Sequence, residues 1–246
     1  SSIPAGTLVL SVRAEDLYGN SGSAEYSVVI NPEMVAEIEV EKYDYERTEL
    51  LNVTVYLYYA DGATVVAPAY EPSVVVELVF VNGTVVDEIE LTYDHTLRAW
   101  TASYPIPYWA PIGVYYLRLV ASDPNGNGAT VQAPFELSVR ATTIIVKVAQ
   151  LKGVLLRGQT APIEVYALYR TLEGVLSGTA TAIVKLPDGS QRTVVLTFED
   201  GLWKGELKIS VADPVGTYQI TIEVVDKYYN RGELTLTVLV IEAKAS

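Results

Sequence analysis

Pro214-Val-Gly-Thr-Tyr218-Gln-Ile-Thr-Ile-Glu-Val-Val-Asp226-Lys-Tyr-Tyr-Asn230-Arg-Gly232 is a stretch that this chain writes three times. Its relatives are Pro111-Ile-Gly-Val-Tyr-Tyr-Leu-Arg-Leu-Val-Ala-Ser-Asp123-Pro-Asn-Gly-Asn127 and Pro4-Ala-Gly-Thr-Leu-Val-Leu-Ser-Val-Arg-Ala-Glu-Asp16-Leu-Tyr-Gly-Asn20. The proline stands at 4, 111 and 214, displacements of 107 and 103 residues, and Gly, Asp and Asn follow without a gap. A period the size of one small domain marks repeated modules. Within the stretch Tyr218, Ile220, Ile222 and Val224 alternate with polar residues, the period of a strand with one buried face. Leu234, Leu236, Val238 and Val240 alternate in the same way, and the Asp-x-x-x-Asn segment between the two runs supplies turn-forming side chains, so each copy reads as a β-hairpin. The corresponding inward positions are Leu117, Leu119, Phe135 and Leu137 in the second copy and Leu10, Val12, Val28 and Ile30 in the first.

The 246 residues hold two complete modules of about 100 residues and a remainder too short for a third. Residues 34–140 and 141–246 follow one plan. Asn82-Gly83 in the first and Asp188-Gly189 in the second are hairpin turns, and Trp100 and Trp203 each stand 13 residues before the repeated glycine. Seven strands in about 105 residues, divided by turn signals, read as a two-sheet sandwich. The fold expected is therefore all-β, two tandem seven-stranded Ig-like sandwiches. Residues 1–33 hold only a hairpin, the last two strands of an incomplete third sandwich. Two strands leave an apolar face wet, so the remaining strands are expected from outside this segment, either upstream or from another molecule. The junction at Ser138-Val-Arg-Ala-Thr-Thr-Ile-Ile has no Gly/Ser-rich or Pro-rich spacer, which predicts stiff coupling and a rod.

A formal charge of −13 argues against a nucleic-acid partner, which would need clustered Lys and Arg. No apolar run approaches the roughly 18 residues of a membrane-spanning helix, and no charged and apolar leader opens the chain. No membrane insertion is expected in this segment, and a mature or excised piece is. Cysteine is absent, so the cores alone must hold the modules.

The residues offer little for catalysis. His95 is the single histidine and lies in the polar turn Tyr93-Asp-His-Thr-Leu-Arg98. Neither a Gly-x-Ser-x-Gly elbow, nor His-Glu-x-x-His, nor a Gly-rich phosphate loop occurs. No catalytic residue, metal ligand or cofactor is assigned. Asp123-Pro-Asn125-Gly-Asn127 imitates the start of a calcium loop, but position 12 is Pro134 and the sister loops at Asp16 and Asp226 carry Tyr18 and Tyr228 in place of Asn125. Turn chemistry is the expectation for all three. Asn52-Val-Thr54 and Asn82-Gly-Thr84 are acceptor sequences for N-linked sugar. Tyr104-Pro-Ile-Pro-Tyr108-Trp109-Ala-Pro111 is an aromatic crossover that would either pack on its own module or the neighbouring one, or form a contact surface through Tyr104, Tyr108 and Trp109.

Gly113-Val-Tyr115 and Gly216-Thr-Tyr218 resemble the tyrosine corner of immunoglobulin-like domains. Trp, then Pro-x-Gly-x-Tyr, then Asp-x-x-x-Asn resembles the Ig-like modules strung along bacterial and archaeal cell-surface, S-layer and secreted proteins, and an archaeal source is the expectation. The departures are a Leu or Ile at the core position, no cysteine pair, and tryptophans that precede this strand. What the resemblance implies is a non-catalytic structural segment of an extracellular surface protein, an S-layer, stalk or filament component. It would act as a stiff spacer and assembly module. Its partners would be copies of itself, neighbouring modules of a longer surface protein, and glycans. The alternatives are a glycan-binding or adhesive module and an accessory region of a secreted hydrolase.

Overall fold

The computed structural model describes residues 6–30 and 33–242; at 6, 29 and 30 only the backbone is described. Apart from one 3₁₀ turn at Pro68–Tyr70, every regular element among them is a strand, so the chain is all-β. It divides into two compact units. The first comprises Ser1–Tyr45, Leu50–Pro105 and Pro111–Val139; the second comprises Glu46–Glu49, Ile106–Ala110 and Arg140–Ser246.

The chain opens with β1 (Gly6–Glu15), β2 (Ser21–Ile30), β3 (Met34–Val40), β4 (Asp44–Glu46), β5 (Leu50–Tyr59) and β6 (Ser73–Phe80). It continues with β7 (Val85–Glu90), β8 (Thr92–Asp94), β9 (Ala99–Pro105), β10 (Gly113–Ser122), β11 (Gly128–Gln132) and β12 (Leu137–Arg140). One sheet runs β4-β12-β10-β6-β7 with β11 also on β10, another runs β3-β5-β9-β8, and β1-β2 form a sheet of their own. The switch between sheets falls at Leu91: β7 pairs with β6 and β8 with β9.

The last repeat holds β13 (Ile145–Gln150), β14 (Val154–Leu156), β15 (Thr160–Leu168), β16 (Gly178–Lys185), β17 (Gln191–Glu199), β18 (Leu202–Lys208), β19 (Gly216–Asp226) and β20 (Arg231–Ile241). Their order is β13-β15-β18-β17-β16-β19-β20-β14. Here the switching strand does not break. Gln191–Leu196 of β17 pair with β16, and Thr197–Glu199 pair with β18, so one strand serves both halves. An eighth strand beyond the expected seven comes from the opening segment, which splits at Lys152-Gly153 and lays β14 parallel to β20.

Alternation fixes which faces are buried. Ile163 and Val165 of β15 and Leu207 of β18 share one core with Ala182, Val184, Ile220, Ile222 and Val224 from the other half. Trp203 is 4% exposed within that core and donates Nε1–H to Val175 O at 3.1 Å. In the first unit Trp100, 8% exposed, donates to Val66 O at 2.8 Å. Both tryptophans satisfy their one polar atom on a loop carbonyl, which permits burial of so large a ring.

The repeated Pro-x-Gly-x-Tyr is a physical unit. Gly216 has φ +132° and its missing Cβ would press on Pro187; Gly113 has φ +145° and would press on Phe80. Two residues on, the Tyr218 hydroxyl donates back to Pro214 O at 2.8 Å and the Tyr115 hydroxyl to Pro111 O at 2.5 Å. Tyr218→Phe keeps the buried ring and removes that bond. It is expected to cost about 0.5–1.5 kcal/mol, read from urea unfolding; no loss would contradict a stabilising role for the hydroxyl.

Two inward expectations are met only in part. Phe135 is half-buried because Ala133 to Glu136, with Pro134 among them, interrupts the ladder between β11 and β12, and its ring meets Tyr43 at 5.3 Å. Leu234 and Leu236 are half-buried, whereas Val238 and Val240 are 1% exposed. The β1-β2 hairpin is in register, with Leu10 opposite Tyr26 and Val12 opposite Ala24. Its apolar face is wet: Leu10, Val12 and Tyr26 are 49, 64 and 68% exposed. Their counterparts Leu117, Leu119, Ile220 and Ile222 are 0% exposed. Pro4 and the Ile30 side chain lie outside the described residues.

Candidate functional site

The feature that the repeat builds with most care is the loop after the Tyr strand. In each copy the Asp carboxylate closes its own turn. Asp226 Oδ1 accepts the backbone N–H of Tyr228 and of Asn230 at 2.8 Å each, and Oδ2 accepts Asn230 Nδ2 at 2.6 Å. Asp123 does the same for Asn125 and Asn127, and Asp16 for Tyr18 and Asn20. The fourth position takes a left-handed φ in all three: Gly19 +81°, Gly126 +82° and Tyr229 +67°. In the two later copies a tyrosine hydroxyl also donates to Oδ2, Tyr59 to Asp123 at 3.0 Å and Tyr169 to Asp226 at 2.6 Å. Among the described residues no cluster of three or more His, Cys, Asp or Glu could hold a metal ion. The carboxylate oxygens of Asp123 and Asp226 are occupied by N–H and O–H donors, which is turn chemistry.

Burial pushes the Asp123 carboxyl up, but hydrogen bonds from Asn127, Tyr59 and Asn125 outweigh it and hold the group below its usual 3.8. Burial, followed by Asp123, raises the Tyr59 hydroxyl well above its ordinary range. A carboxyl depressed in the folded state stabilises the fold above its unfolded pKa and loses that contribution as pH falls through the folded value. The first unit is therefore expected to lose stability below about pH 4. Asp123→Asn should flatten part of that loss in melting curves taken from pH 7 downward; an unchanged profile would contradict the assignment.

In the second unit the loop sits in a buried polar knot. Arg47, 4% exposed, donates Nε–H to Ala110 O at 2.6 Å and Nη1–H to both Tyr228 O at 2.8 Å and Asn230 Oδ1 at 3.0 Å. Asn230, 0% exposed, also accepts Thr142 N–H at 3.0 Å and donates Nδ2–H to Tyr108 O at 3.0 Å. The Tyr108 ring stacks on Tyr169 at 4.5 Å and meets Tyr228 edge-on at 5.7 Å. Arg170 pairs with Glu46 and Glu49 at its rim. Buried charge and amide groups are tolerated here because each has partners.

Tyr108 is thus packed against its own unit on one face, and Trp109 is 40% exposed beside it in the sequence. A pocket of about 540 Å³ is lined by Tyr108, Tyr169, Glu173, Leu176, Ser177 and Lys227. Tyr104 belongs to the first unit, half-buried, with its hydroxyl on Asp87; burial, then Asp87, raises that hydroxyl above its ordinary range. Asn52 is half-buried on β5 opposite Ser103. Asn82 is exposed, its Oδ1 accepting Thr84 N–H at 2.9 Å in the turn. His95 is exposed and lies edge-on to Tyr93.

Arg47 was not singled out by sequence reasoning, nor was Arg157. The two are built alike. Arg157 donates Nε–H to Asp213 O at 2.6 Å, and Asp213, like Ala110, immediately precedes the repeated proline. Backbone N–H groups of Arg47 and Arg157 bond to Arg140 O and Ile241 O, and the next residue has positive φ in both, Thr48 +68° and Gly158 +77°. The signal was a displacement of 110 residues, out of step with the 103 of the proline frame.

No protein-family model matches the chain, and no curated protein does. Among solved structures, the chain is similar to a tetra-tandem repeat in the extending region of a large adhesion protein, at 16% identity and TM-score 0.44, covering 98% of this chain and 58% of that one. It is similar to fibronectin(III)-like modules of Clostridium thermocellum CbhA, at 16% identity and TM-score 0.33, covering 84 and 95%. It is similar as well to the Escherichia coli adhesin FdeC, at 14% identity and TM-score 0.36, covering 98 and 87%. Likenesses at this level carry no argument about what the chain does. No helix among the described residues is long and apolar enough to cross a membrane.

Proposed function

We propose that this chain is a non-catalytic structural segment of an extracellular surface protein, in which Ig-like repeats at 34–140 and 141–246 serve as a stiff spacer in an S-layer, stalk or filament. The observation that carries the reading is the way the backbone is shared: it passes between the two compact units five times, at 45/46, 49/50, 105/106, 110/111 and 139/140. Units joined by a single linker move independently by default. Four of the five passages bound Glu46–Glu49 and Ile106–Ala110, the segments that carry Arg47 and its partner Ala110, and this supports a stiff spacer over a single flexible linker. Limited proteolysis of the intact chain tests this. The junction around Arg140 to Thr143 should be cut no faster than the β-strands, and rapid cleavage there would contradict a stiff spacer.

Glycan binding is the second reading, favoured by the pocket that Tyr108 and Tyr169 line with Glu173 and Lys227. Aromatic faces beside polar groups suit a sugar ring. A glycan array probed with the intact chain decides it: binding that Tyr108→Ala removes would support the reading, and no binding above background would dismiss it. The sequons at Asn52 and Asn82 fit the extracellular setting, Asn82 the better of the two because it is exposed.

A further inference from the structure

The knot around Arg47 has a partial twin at Arg157. Arg157 repeats the Arg47 arrangement in its backbone bond, in its Nε–H bond to the carbonyl before proline, and in the side chain that braces the turn. Glu49 Oε2 accepts Glu46 N–H at 2.7 Å in one, and Gln159 Oε1 accepts Leu156 N–H at 3.1 Å in the other. The strand that follows bonds back identically, Ile106 N–H to Glu49 O and Ile209 N–H to Gln159 O, both 2.9 Å. The difference is at Nη1. Arg47 gives that nitrogen to Tyr228 O and Asn230 Oδ1, whereas Arg157 gives it to Glu242 Oε1, a carboxylate whose side chain is 66% exposed. Val211, at the Tyr108 position of the proline frame, is 75% exposed, and its Cγ1 lies 3.2 Å from where a Cβ on Gly158 would be. Leu156 and Ile241 beside Arg157 are 42 and 40% exposed.

The chain carries one loop of the matching kind that is open to solvent. Asp16-Leu-Tyr18-Gly-Asn20 shares Asp-x-Tyr-x-Asn with Asp226-Lys-Tyr228-Tyr-Asn230, while Asp123-Pro-Asn125-Gly-Asn127 has Asn at the centre. Its internal bonds are those of the Asp226 loop. Leu17 and Tyr18 are 102 and 92% exposed.

We propose that the Arg157 end of one copy of this chain docks the Asp16–Asn20 loop of a second copy, with Arg157 Nη1 exchanging Glu242 for Tyr18 O and Asn20 Oδ1. The inference deepens the proposed structural role and rests on it. The exchange is chemically reasonable, since an exposed ion pair is weak and its replacement is a forked bond to neutral oxygens that partner atoms then shield from water. Val211, Leu156 and Ile241 would meet Leu17 and Tyr18, removing apolar surface from water on both sides. The contact is heterologous, so it propagates head to tail. Each copy carries a formal charge of −13 and the new acceptors are neutral, so added salt should strengthen the association by screening repulsion between copies.

Sedimentation of the intact chain over a wide concentration range tests the proposal. Head-to-tail oligomers should form, and Arg157→Ala and Asn20→Ala should each weaken them about tenfold or more. Mixing these two variants should restore dimers and nothing longer, because each retains one competent end. Glu242→Gln, a change at an exposed site, should tighten association by removing the competing carboxylate and guards against loss of fold in Arg157→Ala. A monomer at every concentration and salt, or oligomers indifferent to all three substitutions, would overturn the contact. Either result would leave the spacer role untouched, since that concerns the two units of one chain.

Discussion

Trp203→Ala is expected to lower the stability of the second unit by about 3–5 kcal/mol, the range for emptying a buried aromatic site. The ring is 4% exposed and tilts against Phe198 at 5.5 Å. It joins the core that both halves of the eight-stranded sheet share, and its loss also strands the Val175 carbonyl that takes its N–H. A domain of this size has a total stability of about 5–15 kcal/mol, so the variant should approach the edge of folding. Chemical denaturation followed by circular dichroism should show the second unit's transition moving to lower denaturant while the first stays in place. Because two units need not unfold together, the transitions must be fitted separately. A loss below about 1 kcal/mol would contradict the core role of this tryptophan.

Asp226→Ala should cost a similar amount, about 3–5 kcal/mol, for a different reason. Asp226 is 4% exposed and accepts from four donors: the backbone of Tyr228 and Asn230, Asn230 Nδ2 and the Tyr169 hydroxyl. An alanine leaves all of them without that acceptor, and a buried donor without a partner retains its full desolvation cost. The same sequence motif at Asp16 provides the control. Asp16 makes the same loop bonds in solvent, where water replaces them, so Asp16→Ala should leave the melting midpoint nearly unchanged. Equal effects at the two positions would show that the motif acts through local turn geometry alone and would contradict the weight placed on the buried knot.

The parts of this structure that were legible in the sequence are those with short-range periodicity. Strand alternation in Tyr218, Ile220, Ile222 and Val224 reports one buried face directly, and all four are 0% exposed. The Asp-x-x-x-Asn turn was legible because its hydrogen bonds close within five residues. The shared tryptophan spacing worked because Trp100 and Trp203 precede the same tight strand. What escaped was long-range and polar. Arg47 reaches Tyr228 and Asn230, 181 and 183 residues away, and nothing local to Arg47 announces either partner. Arg47 and Arg157, like Tyr59 and Tyr169, are displaced by 110 residues, because intervening loops differ in length. A frame anchored on the prolines therefore slides past them. The split of the opening segment into β13 and β14 was likewise hidden, since three residues pairing in parallel at an edge leave too little pattern to read.

Nitrogen-15 relaxation on the intact chain tests the central claim most directly, because a stiff spacer requires the two units to tumble as one. Amides of β5, β6 and β10 and amides of β15, β16 and β19 should report one common rotational correlation time, that of the whole 246-residue chain. Two distinct and shorter correlation times in the unaltered protein, each that of one compact unit rather than of the whole chain, would contradict the account.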